Sequence, residues 1–320
     1  HLIDALGRVT DRRAIPILFR CAKSVDSEVS DLAVRSLRAM TEKQPEAVAA
    51  SLRALSEDEY RDVRGVEIEG ALGANANEAR ILGVLDSGRD EHRPRAVRAL
   101  AELRSLAAFS RLPALAFDAV LEVRVAAVIA MGLYPIDAIG ALGAEKRRTA
   151  LVSLLDDREP QVCEAAAAAL ACDDSDAAVG ALAGTLRGAA LSVAISAVRA
   201  LAAIAARGRE TAWREILAFA VDEMRRGSER FSNPLAIEVW KEALSALAYP
   251  PVPAAFEILV DGLASERWDV RAAAARALGA RCDRNAFTPL RAALQRESDL
   301  VVRRALEDAL VALARETRGI

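Results

Sequence analysis

A helical-hairpin pattern that recurs along the whole chain constrains the fold more than any other feature. Its clearest copy spans residues 269–279, an Asp-Val-Arg triplet followed by an alanine-rich segment. Apolar residues at i, i+4, i+7 and i+8 from Val270 form the buried stripe of an amphipathic helix. Gly279 suits a left-handed end for this helix. Asp283 is placed to cap a second helix, so the copy predicts two antiparallel helices.

The copies align on the position of Val270 with a period of about 31 residues, which is typical of stacked helical hairpins. Two repeats are expanded, around 134–157 and 207–234. The spacing therefore predicts an all-α fold of about nine hairpins. The aligned anchor positions are Val29, Val63, His92, Val123, Val162, Val193, Val239, Val270 and Val302.

The beginning of the chain matches the middle of a hairpin rather than its start. Leu6-Gly7 and Asp11 have the spacing of Leu278-Gly279 and Asp283. The chain is therefore predicted to open inside a partial first repeat, with further repeats or another domain N-terminal to it.

Composition supports helices packed closely against one another. Hydrophobic residues make up 53% of the chain but aromatic residues only 4%, and no alternating strand pattern is present. No segment reaches the roughly 20 apolar residues of a membrane span. The four cysteines form no C-x-x-C pair. Scattered buried thiols favour a reducing compartment, so we expect a cytoplasmic protein.

The triplets Asp62-Val63-Arg64, Glu122-Val123-Arg124 and Asp269-Val270-Arg271, each followed by a helical segment, resemble those of HEAT repeats. The short form found in phycobilisome lyase-type proteins is the most similar. The resemblance covers essentially the whole chain. It implies a right-handed, curved α-solenoid, a single domain over residues 1–320, and a concave surface lined by second helices.

The sequence offers no catalytic chemistry. It contains no nucleophile elbow, zinc motif, P-loop or dinucleotide fingerprint, and only two histidines. The acidic run at 173–176 lacks calcium-loop spacing and is interpreted as turn and cap residues. We expect no enzyme activity, no cofactor and no metal. The arginines of the triplets are expected to bridge caps or carbonyl groups of adjacent repeats.

The expected function is a non-catalytic scaffold that binds a protein or peptide on its concave surface or inserted loop, possibly as one module of a larger protein. The candidate contacts lie on second helices, in the basic stretch 89–111, and in and before the charged loop 223–234. A solvated face and core filling are the alternative interpretations for the arginines and the tryptophan. The candidates are Arg80, Arg93, Arg95, Trp213, Arg225, Arg226, Arg230, Phe231, Glu257 and Arg291.

Two other functions stay open. Some HEAT-type DNA glycosylases bind nucleic acid with arginine-lined helices, but a net charge of −3 weighs against that partner here. The repeat resemblance also allows a phycobilin lyase-like chaperone or lyase subunit.

Overall fold

A computed structural model of the protein describes residues 2–8, 11–87, 89–225, 234–249 and 252–318. These residues form helices and turns and no strand, which confirms the all-α prediction. The chain divides into two compact units, His1–Ala150 and Leu151–Ile320.

In the first unit the helices are α1 Leu2–Arg8, α2 Ala14–Ala22, α3 Ser27–Lys43, α4 Pro45–Arg53, α5 Glu57–Asp62, α6 Gly65–Gly70, α7 Glu78–Ser87, α8 Arg93–Glu102, α9 Leu106–Phe109, α10 Leu112–Leu115, α11 Leu121–Leu133 and α12 Ile136–Ser153, the last of which ends beyond the unit. In the second unit they are α13 Pro160–Leu170, α14 Asp176–Thr185, α15 Leu191–Ala206, α16 Glu210–Arg225, α17 Pro234–Ala246, α18 Pro253–Gly262, α19 Trp268–Ala280, α20 Phe287–Arg296 and α21 Leu300–Arg318.

The helices pair as hairpins, and consecutive first helices pack against one another within each unit. In the second unit the first helices are α13, α15, α17, α19 and α21, and α14, α16, α18 and α20 return between them. The anchor valines lie at the centre of this packing, since Val123, Val162, Val270 and Val302 are fully buried. Each of these four is the third residue of its helix. The predicted solenoid of helical hairpins is therefore confirmed.

Consecutive first helices approach closely at glycine. A Cβ built on Gly279 of α19 would lie 2.8 Å from the Cα of Ala309 in α21. The same close contact joins Gly7 to Ser36 and Gly70 to Ala99. In α3 and α21 the partner residue lies seven positions after the anchor valine. Glycine is needed at these crossings because any side chain would meet backbone or Cβ atoms of the next repeat.

The predicted left-handed helix end at Gly279 is wrong. The helix continues through Gly279 to Ala280, and Cys282 takes the left-handed conformation with a φ of 53°. The glycine is required by its neighbour in the next repeat rather than by its own backbone angle. Asp283 does cap the following turn, because its side chain accepts a hydrogen bond from Asn285 N at 2.9 Å.

The triplet at Val63 differs from the other two. Helices α11 and α19 contain their triplets in the first turn. The triplet at Val63 instead spans the break between two helices, since α5 ends at Asp62 and α6 begins at Gly65. Arg64 between them has a φ of 55°. Its guanidinium pairs with Glu67, at 2.8 Å from Nε to Oε1, and with Asp31. These ion pairs hold the chain reversal that separates the two helices.

The two predicted expansions differ in form. The first is the long second helix α12, which Gly140 interrupts with a φ of 66° and a ψ of 173°. The second contains α16, a regular helix from Glu210 to Arg225.

We expect Gly279→Ala to lower the free energy of unfolding by about 1–3 kcal/mol, because the methyl group must push α21 away from α19. Gly180→Ala is the matched control, since Gly180 lies mid-helix in α14 with no heavy atom within 4 Å of its Cβ position. That control should raise stability by about 0.5–1 kcal/mol. Urea unfolding followed by circular dichroism measures both, and equal effects of the two substitutions would contradict the close approach.

Candidate partner-binding surface

One side-chain position links several of the second helices to the first helix that follows. We call it the donor position, the residue directly after an anchor. In α19 it is Arg271, whose Nη1 donates to the carbonyl oxygens of Ser265 at 2.9 Å and Glu266 at 3.0 Å. These carbonyls follow the end of α18. The last carbonyls of a helix have no partner within it, so a donor from the next repeat stabilises the turn.

In other repeats the donor position also bonds backbone carbonyls, through an arginine, a serine or a cysteine. Arg124 donates to the carbonyls of Asp118 and Ala119, and Arg303 donates to those of Leu294 and Glu297. Ser30 Oγ donates to the carbonyl oxygen of Ala22 at 2.8 Å, and Cys163 Sγ donates to that of Asp157 at 3.1 Å, in both cases near the end of the preceding second helix. The predicted bridging role of Arg124, Arg271 and Arg303 is confirmed, whereas Arg64 bridges carboxylates instead.

Arg271 makes a second contact that joins it to the following turn. Its Nε and Nη2 donate to the two carboxylate oxygens of Glu297 at 2.6 and 2.9 Å. This pairing lowers the pKa of Glu297 to about 2. Arg271 therefore holds the turns before α19 and after α20 together.

Two grooves in the second unit lie at equivalent places in the repeat. The first has a volume of about 630 Å³ and lies between the ends of α12 and α14; the second, of about 560 Å³, lies between the ends of α18 and α20. Every residue that lines the second groove has a counterpart in the first, in the same order and at the same spacing. Such grooves are large enough to hold a side chain or a short peptide.

The two grooves differ in charge. The second, which we call the arginine groove, contains Arg271, Arg296 and Glu297. The first, which we call the acidic groove, has Asp156 and Asp157 at its rim, and none of the described residues that line it is basic. The sequence alone did not indicate either groove.

The arginines of the first unit that the sequence analysis gave as candidate partner contacts bind other residues of the same unit. Arg80 donates to the carbonyl oxygens of Leu52 and Leu55 at 2.9 and 3.0 Å, and its guanidinium lies 3.8 Å from the ring centre of Tyr60. Arg80 is only 11% exposed, so it holds the end of α4 against α7.

The two candidates of the basic stretch are paired with acids. Arg93 forms an ion pair with Asp118, and Arg95 Nε lies 3.1 Å from Glu67 Oε1. These contacts satisfy both arginines within the unit, so the basic stretch differs from the solvated face given as the alternative, and a partner-binding role for the two arginines stays a prediction.

The candidates of the second unit are more accessible. Glu257 and Arg291 are exposed, and each is the fifth residue of its second helix, α18 or α20. Arg214 occupies the same place in α16 and is exposed, and the sequence analysis missed it. Trp213 beside it is half-buried, and Arg225 at the end of α16 is exposed. The predicted contacts Arg226, Arg230 and Phe231 lie outside the described residues.

Glu69 and Tyr60 form a buried ionisable pair in the first unit. Glu69 is 2% exposed and accepts a hydrogen bond from the hydroxyl of Tyr60 at 2.9 Å. Burial raises the pKa of Glu69 and also that of Tyr60. The cavity beside Tyr60 holds only about 10 Å³, which is too small for a substrate. The pair is therefore a buried hydrogen bond of the core.

Within the described ranges, no cluster of three His, Cys, Asp or Glu side chains is placed to hold a metal ion. Among those same residues, the helices lack the combination of length and apolar character that crossing a bilayer requires.

A family model of HEAT repeats matches residues 234–311. Among solved structures, importin β is similar over 98% of this chain and 48% of its own, with 12% identity and a TM-score of 0.61. A Kap121p mutant is similar over 97% of this chain and 38% of its own, with 14% identity and a TM-score of 0.53. The Escherichia coli protein YibA aligns over 98% of this chain and 96% of its own, with 17% identity and a TM-score of 0.48. Comparison with curated proteins finds no match.

Arg271→Ala should lower the free energy of unfolding by about 1–3 kcal/mol, because it leaves Glu297 and the end of α18 without their shared donor. Arg304→Ala is the matched control, since Arg304 is 82% exposed on α21 and lies 3.9 Å from Asp308. Thermal unfolding of both variants is the measurement, and a midpoint unchanged by the first substitution would contradict the bridging role.

The stabilisation by the Arg271–Glu297 pair should be lost in acid. The pKa of Glu297 lies at about 2 in the folded chain, below its ordinary value of 4.5. Its contribution is therefore complete above about pH 5 and decreases as the pH falls towards 2. Urea unfolding of wild type and Arg271→Ala at about pH 6 and about pH 3 should show a smaller difference between the two proteins at the lower pH. An equal difference in unfolding free energy between the two proteins at both pH values would contradict a stabilising Arg271–Glu297 pair.

Proposed function

We propose that this chain, whose helices form a solenoid of HEAT repeats, is a non-catalytic scaffold that binds a partner protein. The repeat match in residues 234–311 and the shared fold with importin β support the architecture. In such stacks the first helices are buried between neighbours, and the outer sides of the second helices are left for ligands. The identity of the partner is set by those exposed side chains.

The proposed contact surface is a row of exposed charged residues on consecutive second helices. Arg214, Glu257 and Arg291 occupy the fifth position of α16, α18 and α20. Their charges alternate along the row, which favours a partner segment with the complementary order of charges. Trp213 adds an aromatic side chain beside Arg214, a residue type that often contributes to protein interfaces. Arg225, Arg226, Arg230 and Phe231 are kept as further candidate contacts, the last three of which lie outside the described residues.

The other functions receive less support. A nucleic-acid ligand requires basic side chains turned towards phosphate groups. Three arginines of the basic stretch, Arg93, Arg95 and Arg111, instead pair with carboxylates. No described contact favours a bilin ligand or a lyase reaction.

We also propose a reducing compartment, such as the cytoplasm. Cys21, Cys163 and Cys282 form no disulfide. Free thiols of this kind are typical of proteins kept under reducing conditions.

Reversing two charges in the row should weaken partner binding without changing the fold. The test variant is Glu257→Arg with Arg291→Glu, which keeps the net charge constant. Affinity purification from the native host with the intact chain identifies a partner, and titration with that purified partner should show binding weakened at least about tenfold, as expected for the loss of interfacial charge pairs.

The matched control is Arg304→Glu with Glu307→Arg, which reverses two exposed charges on the terminal first helix α21. It should bind like wild type. Equal binding by all three proteins would refute the proposed surface. A salt-titrated gel shift with duplex DNA is the parallel measurement, and tight, salt-sensitive binding of DNA would favour the nucleic-acid alternative.

A further inference from the structure

The arginine groove contains one charged side chain without a counter-charge among the described residues. Of its described charged lining residues, Arg271 and Glu297 neutralise each other through contacts of 2.6 and 2.9 Å. Glu297 also accepts from the backbone N–H groups of Ser298 and Asp299, so its carboxylate is satisfied within the chain. Arg296 is exposed, and its guanidinium makes no hydrogen bond or ion pair with the residues that the structure describes. The lining of the groove therefore carries a net positive charge with free donors.

Large apolar side chains lie exposed at the mouth of the same groove. Trp268 occupies the position at which Pro160 lines the acidic groove. Val301 occupies that of Val193. Trp268 and Val301 are each 49% exposed, and Leu300 beside Val301 is 80% exposed. Apolar residues that are exposed together beside a groove are typical of a surface that another protein covers.

The inner wall of the groove is apolar as well. Val260 and Leu263 line it from α18, and Pro289, Ala292 and Ala293 line it from α20. These side chains leave a volume of about 560 Å³ between the two helices. An apolar wall with that much space suits an aromatic or aliphatic side chain, whose burial removes apolar surface from water.

We propose that the arginine groove binds an extended segment of the partner protein that carries an aromatic or aliphatic residue and, two positions away, an aspartate or glutamate. This inference rests on the proposed scaffold function and names the chemistry that one of its sites recognises. Side chains two positions apart point to the same side of an extended segment. The apolar side chain packs on the groove wall beside Trp268, and the carboxylate accepts two hydrogen bonds from the guanidinium of Arg296.

Charge complementarity favours a carboxylate at this place. The acid of the groove, Glu297, is already neutralised by Arg271. The exposed carboxylates of Asp261 and Glu266 are not among the residues that line the groove. An incoming carboxylate therefore meets Arg296 without a competing acid from the groove itself.

The acidic groove provides a comparison within the same chain. Gly188 stands there in place of Arg296, and Pro160 stands in place of Trp268. The acidic groove thus has a similar volume but neither the free cation nor the exposed aromatic ring. The same partner segment should not bind to it.

The test uses the intact chain and a blocked pentapeptide, Gly-Phe-Gly-Glu-Gly, followed through the backbone NMR signals of Ala264, Ala292 and Ala293. One control peptide has glutamine in place of glutamate, and a second has alanine in place of phenylalanine. We expect the first peptide to shift these signals and the glutamine peptide to bind about tenfold more weakly, because charge-assisted hydrogen bonds are lost. The alanine peptide should also bind more weakly, through the loss of apolar packing.

Signals of Gly184, Gly188 and Ala189 in the acidic groove should stay unchanged in the same titration. Three results would overturn the proposal. They are the absence of shifts up to the solubility limit of the peptide, equal binding of the glutamate and glutamine peptides, and equal shifts in the two grooves.

Two variants of the chain test the location. Arg296→Gln removes the charge, so it should weaken binding of the glutamate peptide about tenfold and bring it to the level of the glutamine peptide. Trp268→Ala should weaken binding by about three- to tenfold while the preference for glutamate persists. Arg304→Gln is the matched control, since Arg304 is also exposed but lies on α21, and it should bind like wild type. Unchanged binding by Arg296→Gln, or an equal loss in Arg304→Gln, would refute the assignment.

The partner experiment separates this proposal from the scaffold itself. If a purified partner binds wild type and Arg296→Gln equally, the scaffold function stands and the groove assignment fails. If the glutamate peptide binds the groove but the intact chain retrieves no partner, the site stands and the scaffold function fails.

Discussion

The close approach of consecutive first helices is the constraint on which the rest of the structure depends. Gly279 lies almost against the backbone of Ala309, and Gly70 lies equally close to Ala99. Helices this near to one another exclude large side chains from the crossing, which explains a chain rich in alanine with few aromatic residues. A single hairpin cannot bury its apolar stripe, so each repeat requires its neighbours. The anchor valines fill the remaining space, and the second helices are left at the outside, where their side chains are free to vary.

The sequence predicted the hairpins because their signal is local. Val270 and its apolar companions recur within two helical turns, and the same pattern returns about one repeat later. The predicted role of Gly279 was wrong because a glycine near a helix end can meet either of two requirements. It can take a left-handed backbone conformation, or it can leave space for a closely packed neighbouring helix. Only the position of Ala309 in the next repeat decides between them. The triplet at Val63 looks like the others, yet Arg64 takes a left-handed conformation there. Its partner Asp31 belongs to another repeat, which no short pattern reveals.

The candidate site was less predictable than the fold, for the same physical reason. Arg80 has the appearance of an exposed helix residue in the sequence, but its acceptors are carbonyl oxygens at the end of α4. Contacts of this kind join residues about one repeat apart, so an i,i+4 analysis does not find them. Glu257 and Arg291 are exposed, as contacts on second helices must be, and their role in partner binding stays a prediction. The two grooves were missed because they form only where the turns of successive repeats come together.

The donor position shows how equivalent places in a repeat protein hold different side chains without a change of fold. In one repeat Arg271 bonds the carbonyls after α18 and the carboxylate of Glu297. In another, Cys163 keeps a single hydrogen bond to the corresponding carbonyl. The loss is tolerated because each hairpin is stabilised mainly by its contacts with adjacent repeats, so weakening one turn does not unfold the others. The same position therefore links the turns through three hydrogen-bonding groups of arginine in one repeat and through a single thiol in another.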